Sequence, residues 1–151
     1  MNIDLSPWRV PADLIDAIWT ARRADRRDLQ PEIVGLLRHE DPNVREEAIS
    51  LLFVKWADTS QRELLVNLVH SDPDFGVRAR AAGAFAVVSN ESTRQRDCEV
   101  LRAIVLDRGD DPTVRKASYE AIHHILRGAP LSLDDDIDLD EDVDLDWLKQ
   151  I

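Results

Sequence analysis

The sequence predicts an all-α fold: a short right-handed α-solenoid of about three helix pairs, with an N-terminal capping helix and an acidic C-terminal tail. Three observations predict it. A five-residue unit, Asp41-Pro42-Asn43-Val44-Arg45, returns as Asp111-Pro112-Thr113-Val114-Arg115. Between these copies, Asp72-Pro73 and Val77-Arg78 form the same unit with two extra residues. Before residue 130 no stretch alternates in the manner of a strand. The valines stand 33 and then 37 residues apart, within the range of stacked helical repeats.

The elements follow in order. Val10, Leu14, Ala17 and Ile18 have spacings of 0, 4, 7 and 8, which place them on one helical stripe. This is the capping helix, a degenerate half-copy in which Arg9 precedes the valine and Pro11 follows it. Pro31 opens the first helix of the next pair, which ends near His39. The second helix starts at Asp41-Pro42, where aspartate accepts from free N–H groups and proline tolerates the first turn. Its stripe continues through Ala48, Leu51 and Leu52. Ser60-Gln61-Arg62-Glu63 reads as a capping box opening Glu63–His70. The next second helix carries Ala81, Ala84 and Phe85 at the same spacings. Ser92-Thr93-Arg94-Gln95 reads as another capping box, for a helix ending near Leu106. The last second helix carries Ser118, Ala121 and Ile122. The small residues on each stripe allow neighbouring helices to approach closely.

The pattern Asp-Pro-x-Val-Arg-x-x-Ala-x-x-Ala-Leu, read over residues 10–128, resembles the HEAT-repeat superfamily, most closely its short bacterial type. The resemblance is specific for fold and almost silent on function. It implies a structural ladder within and between repeats, built from Asp41, Asp72 and Asp111 with Arg45, Arg78 and Arg115. The insertion Asp74-Phe75-Gly76 departs from the pattern in the middle copy.

The 151 residues suffice for one domain with a real core, expected over 1–128 with the tail as 129–151. One cysteine, Cys98, excludes an internal disulfide and a cysteine-based zinc site. Its apolar stripe with Leu101 and Val105 marks it as a core thiol. Neither a signal-peptide pattern at the N-terminus nor a membrane-spanning apolar run is present, so a soluble cytoplasmic protein is expected. The net charge of −11 is unevenly placed. Residues 129–151 hold nine acids and one lysine, a net of −8, which leaves about −3 on the body.

In that tail Asp134, Asp136, Asp138, Asp140, Asp142, Asp144 and Asp146 occupy every even position. The odd positions from Leu131 to Trp147 are mostly apolar. Drawn extended, one face is carboxylate and the other apolar, although aspartate favours neither helix nor strand. Three readings are open: a disordered solubilising tail, a segment that orders as it docks on a partner, and a tail folded back on its own body. A dedicated calcium loop is disfavoured, because Asp138-Leu139-Asp140-Glu141-Asp142 lacks the glycine turn and the closing glutamate.

No catalytic set emerges. A single His39-Glu40 pair resembles one element of the HEAT-repeat iron hydroxylases, which use several facing pairs. His39 and His70 fit the preference of cations for helix C-termini. His123 and His124 point about 100 degrees apart on a helix and cannot easily share a metal. No phosphate loop or nucleophile elbow is present, so neither cofactor nor metal is expected. HEAT repeats also serve phycobilin lyases and DNA alkylation glycosylases, but the near-neutral body disfavours direct nucleic-acid binding.

The second helices of such repeats line a concave face. Positions three, six, nine and ten after each valine should be exposed there: Asp13, Asp16 and Trp19; Glu47, Ser50 and Phe53; Arg80; Glu120, His123 and His124. Trp19 and Phe53 fall at equivalent positions, a candidate hot spot whose competing reading is core packing. These residues and the tail aspartates with Trp147 are the candidate partner-binding set. The function expected is a non-catalytic protein-binding module, specifically a bacterial immunity or inhibitor protein for a basic partner such as a toxin nuclease. The alternatives are a general adaptor whose tail is a docking peptide, and a lyase-like cofactor chaperone. Oligomeric state is open.

Overall fold

The computed structural model describes residues 2–134 and 136–151. Among them there are seven α-helices and no strand. The helices are α1 (Pro11–Arg23), α2 (Gln30–Leu36), α3 (Pro42–Ile49), α4 (Arg62–Ser71), α5 (Phe75–Val88), α6 (Arg94–Leu106) and α7 (Pro112–Arg127). Helix α3 runs on through wider π-type turns over Ser50–Lys55. Short 3-10 turns cover Arg27–Leu29 and Asp146–Gln150. The order of packing is that of a short solenoid. Helices α1, α3, α5 and α7 form one row, and α2, α4 and α6 each pack on α3, α5 and α7 respectively. The buried stripes meet between the rows, where Val44, Ala48, Val77, Ala81, Val114 and Ile122 are fully enclosed. Val10 instead precedes α1 and is exposed, while Leu14, Ala17 and Ile18 are buried.

Neither expected capping box forms. Asp58 accepts both the N–H and the hydroxyl of Ser60, and Asn90 accepts the same two groups of Ser92. These local turns point the serine hydroxyls at Asp58 and Asn90 and away from the helix amides. Helix α4 therefore starts at Arg62, and neither α4 nor α6 has a side-chain cap.

Each ladder arginine does two jobs. Arg45 donates to the carbonyls of His39 and Glu40 after α2, and forks onto Asp72 at 2.8 and 2.7 Å. Arg78 donates to the Val69 carbonyl of α4 and forks onto Asp110 at 2.6 Å twice. Arg115 donates to the Val105 carbonyl of α6 and forks onto Asp140 at 2.9 Å twice. The guanidinium thus satisfies carbonyls at the end of one helix and meets a carboxylate from the following turn.

Asp41 and Asp111 depart from their expected ladder role. Asp41 accepts the Asn43 amide and Asp111 the Thr113 amide, each capping its own helix. In the middle copy Asp74, not Asp72, caps α5 by accepting the Val77 amide. A carboxylate turned onto first-turn amides points away from the arginine, so the middle and last turns supply a second aspartate. The insertion in the middle copy provides one, and Asp110 provides the other.

The ends are closed by non-repeat chain. At the start, Leu5 is buried and His39 ties the entry segment down. The Asp41 amide donates to His39 Nδ1 at 3.0 Å, so Nε2 carries the proton and donates to the Pro7 carbonyl at 3.0 Å. Trp56 is buried, donates to Asp25, and lies under Arg27. Between the outer helices, Arg62 of α4 pairs with the fully buried Asp97 of α6 and stacks over Phe85.

At the other end, the described residues of the tail, 129–134 and 136–151, pack on α6 and α7. Gly128 ends α7 in the left-handed region, with φ of 67°. Leu139 and Leu148 are buried, and Trp147 meets Tyr119 edge-on at 5.9 Å beneath Arg127. Arg102 donates to the Ile151 carbonyl, and Glu120 accepts the Leu133 amide. Within the tail, Asp142 and Asp138 accept backbone amides of Asp138 and Asp140, so these carboxylates close turns. Asp135, on the mostly apolar side of the alternation, lies outside the described residues.

Two predictions follow from the arginine contacts. Asp72→Ala leaves Arg45 buried and unpaired and should cost about 3–5 kcal/mol in urea unfolding, whereas Asp111→Ala removes a cap worth about 1 kcal/mol; Asp110→Ala should exceed Asp111→Ala. The Arg78 guanidinium holds the Asp110 carboxyl below its ordinary value of 3.8. Its contribution is therefore complete above that value and fades as pH falls below it. Acid unfolding monitored by circular dichroism should show that loss, and Asp110→Asn should flatten it.

Candidate functional site

The row of second helices leaves a concave groove of about 480 Å³ centred on α5. Its floor is made of small side chains: Gly76, Ala79, Gly83 and Ala86 follow one another along α5 at helical spacing. Val54 after α3 and Val87 of α5 line it and are 40% and 42% exposed. Ala117 and His124 of α7 form the far side, and Leu131 of the tail closes one end. Glu46, Arg80 and Glu120 are its charged groups.

Gly76 lies close to two carboxylates. A Cβ on Gly76 would stand 2.7 Å from Glu46 Oε1 and 3.0 Å from Asp74 Oδ1. The Glu46 carboxylate therefore lies against the start of α5. Burial lifts its pKa above the ordinary glutamate value; Arg80, 3.7 Å away, opposes the shift, and Asp74 and Glu47 add to it. At Gly83 the opposite holds: a Cβ there meets nothing within 4 Å, because the position faces open groove.

The residues expected on the concave face separate into groups. Arg80, Glu120 and His124 line the groove. Glu47 accepts the Trp19 indole N–H at 2.9 Å, on the ridge between α1 and α3. Asp13 and Asp16 are exposed on α1, and Ser50 is half-buried. His123 turns aside and donates to the Ala129 carbonyl at 3.3 Å. Phe53 does not belong to the surface: it is fully buried. The π-type turns that begin at Ser50 widen the helix and rotate Phe53 inward, with Trp56 and Asp58 amides reaching back to Leu51 and Leu52. Val54 takes the exposed place instead. The aromatic pair of Trp19 and Phe53 is therefore not formed.

Glu46, Val54, Gly83 and Val87 were not singled out from the sequence. A signal existed for the valines, which both stand ten residues after a repeat valine and off the core stripe. Glu46 carried none, because its place beside Gly76 and Arg80 of the next repeat is a tertiary contact.

The second candidate surface is the outer face of the tail. Asp134, Asp136, Asp138, Asp142, Asp144 and Asp146 are exposed, while Asp140 is drawn inward by Arg115 and Arg108. The Arg115 guanidinium holds the Asp140 carboxyl below the usual aspartate range. Trp147 is half-buried. Among the described residues no three His, Cys, Asp or Glu side chains could hold a metal ion. Cys98 is a buried free thiol whose pKa is raised by burial. No helix among the described residues is long and apolar enough to cross a membrane.

A family model described as HEAT repeats matches residues 5–86. No curated protein and no solved structure matches the chain. Repeats of this family mediate protein–protein interaction and are typically non-catalytic. With its helix pairs in register and more than half its length matched, the chain belongs to the HEAT-repeat family.

Proposed function

We propose that this protein is a non-catalytic immunity or inhibitor protein that neutralises a basic partner, such as a toxin nuclease, through the acidic face of its tail. One observation carries the reading. The tail is sorted in space: Leu139 and Leu148 are buried on the body, and six aspartates face solvent. Docked chain holds these carboxylates on a fixed surface, so less ordering cost remains to be met on binding. A fixed array of like charges also accelerates encounter with an opposite surface and can stand where phosphates would. The adaptor alternative, with the tail as a free docking peptide, has less support, since Leu139, Leu148 and Trp147 are already engaged with α6, α7 and their neighbours.

Asn replacement of Asp134, Asp136, Asp142 and Asp144 removes outward charge without touching the Arg115 contact. Captured from its native host, a basic partner should be held by the unaltered protein and lost or markedly weakened with this variant. Its association should slow and lose its salt dependence. Equal capture and equal salt dependence would remove the acidic face from the mechanism.

A further inference from the structure

The two ends of the stack differ in a complementary way. As the first member of its row, α1 has a row neighbour, α3, on one side only. The chain entering it carries Trp8 and Val10, 84% and 63% exposed, the two most exposed large hydrophobics among the described residues. An indole left in water holds a large apolar area that a contact could cover. Farther along α1, Arg22 and Arg23 are exposed, and among the described residues neither meets a carboxylate; Arg23 donates to the Thr20 hydroxyl. The opposite end offers the converse. Leu106, Val143 and Leu145 line a hollow of about 470 Å³ between the end of α6 and the tail, together with Asp144 and Asp146. Leu106 is 37% exposed. A hollow of that size is within the range of pockets that enclose a small organic group. The two features also share an edge of the solenoid. Trp8 precedes the start of α1, and the hollow includes Asp140, which Arg115 holds at the start of α7. The second helices run parallel in one row. A copy stacked onto the tail in continuation of that row brings its Trp8 to the hollow and its Arg22 and Arg23 along the acidic face.

We propose that the protein associates with a second copy of itself head to tail, with Trp8 of one copy seated in the hollow beside Leu106 of the next and Arg22 and Arg23 facing its tail aspartates. This goes beyond the inhibitor reading and does not depend on it. The contact is heterologous: each copy keeps a free tryptophan at one end and a free hollow at the other, so association continues past the dimer unless the ring closes. The net charge of −11 opposes self-association, but charges farther apart than about 8 Å are largely screened at physiological salt. The surfaces in contact then decide, and there an aromatic and basic end meets an apolar and acidic one.

Sedimentation equilibrium of the full chain at physiological salt, from micromolar to millimolar protein, tests this. The average mass should rise with concentration. Trp8→Glu and Leu106→Glu should each weaken association by at least about tenfold, the loss expected when an aromatic anchor or its pocket is removed. Val143→Arg serves as the hollow variant if Leu106→Glu does not fold. Mixed in equal amounts, the Trp8 and hollow variants should form a dimer and stop there, because one retains the hollow and the other the tryptophan. Reversing both charges, Arg22→Glu with Arg23→Glu, should weaken association by roughly threefold or more. Trp8→Glu should still capture the basic partner of the acidic face, so the two readings fail separately. The proposal is overturned by a mass that stays monomeric throughout, by association that survives Trp8→Glu, or by a mixture of the two variants that does not associate. A dimer abolished by Trp8→Glu but kept by both hollow variants also overturns it, since that is a symmetric contact that does not use the hollow.

Discussion

The stack depends on a forked ion pair repeated three times. A guanidinium enclosed at a helix junction needs every N–H met, because an unpaired buried charge is strongly destabilising. Arg45, Arg78 and Arg115 meet that need in the same way, with carbonyls of the preceding helix on one side and a carboxylate on the other. The carboxylate always comes from farther along the chain. Each repeat is thereby incomplete without the one after it, and a lysine could not substitute, since its ammonium has no fork.

That requirement explains the tail. Residues 116–151 contain no further copy of the repeat unit, yet Arg115 sits 6% exposed and in need of a partner. Asp140 occupies the place that the next turn's aspartate would hold, and Leu139 and Leu148 cover apolar surface that a further helix pair would cover. The segment is not extended: turns over Asp138–Asp142 and 3-10 turns over Asp146–Gln150 carry Leu139 and Leu148 inward, while Glu141 and six aspartates stay exposed. The opposite end is solved differently, with Leu5 buried and the entry chain pinned by His39.

The central helix α5 serves two surfaces with one kind of residue. Ala81, Ala82 and Ala84 face the core, where they let α3, α4 and α7 close around it. Gly76, Ala79, Gly83 and Ala86 face the groove. Small side chains in the core favour tight packing; on a concave surface they leave room for another molecule.

How far the sequence could be read follows from the range of the forces. The repeat unit, the 0, 4, 7, 8 stripe and the Asp-Pro starts determined the helices and their stacking, because periodicity and capping act within a few residues. The ladder role of Arg45, Arg78 and Arg115 came from the resemblance to the HEAT-repeat family, which their recurrence after each repeat valine carried. Which aspartate each arginine takes was decided only in three dimensions: Asp110 in place of Asp111, and Asp140 from 25 residues onward. The same holds for Phe53, turned inward by a local widening of its helix, and for Glu46, set against Gly76 of the next repeat. The tail's alternation was plain in the sequence, but its apolar side could have faced a partner or its own body; the choice rests on Arg115 and Tyr119, contacts that no local pattern encodes.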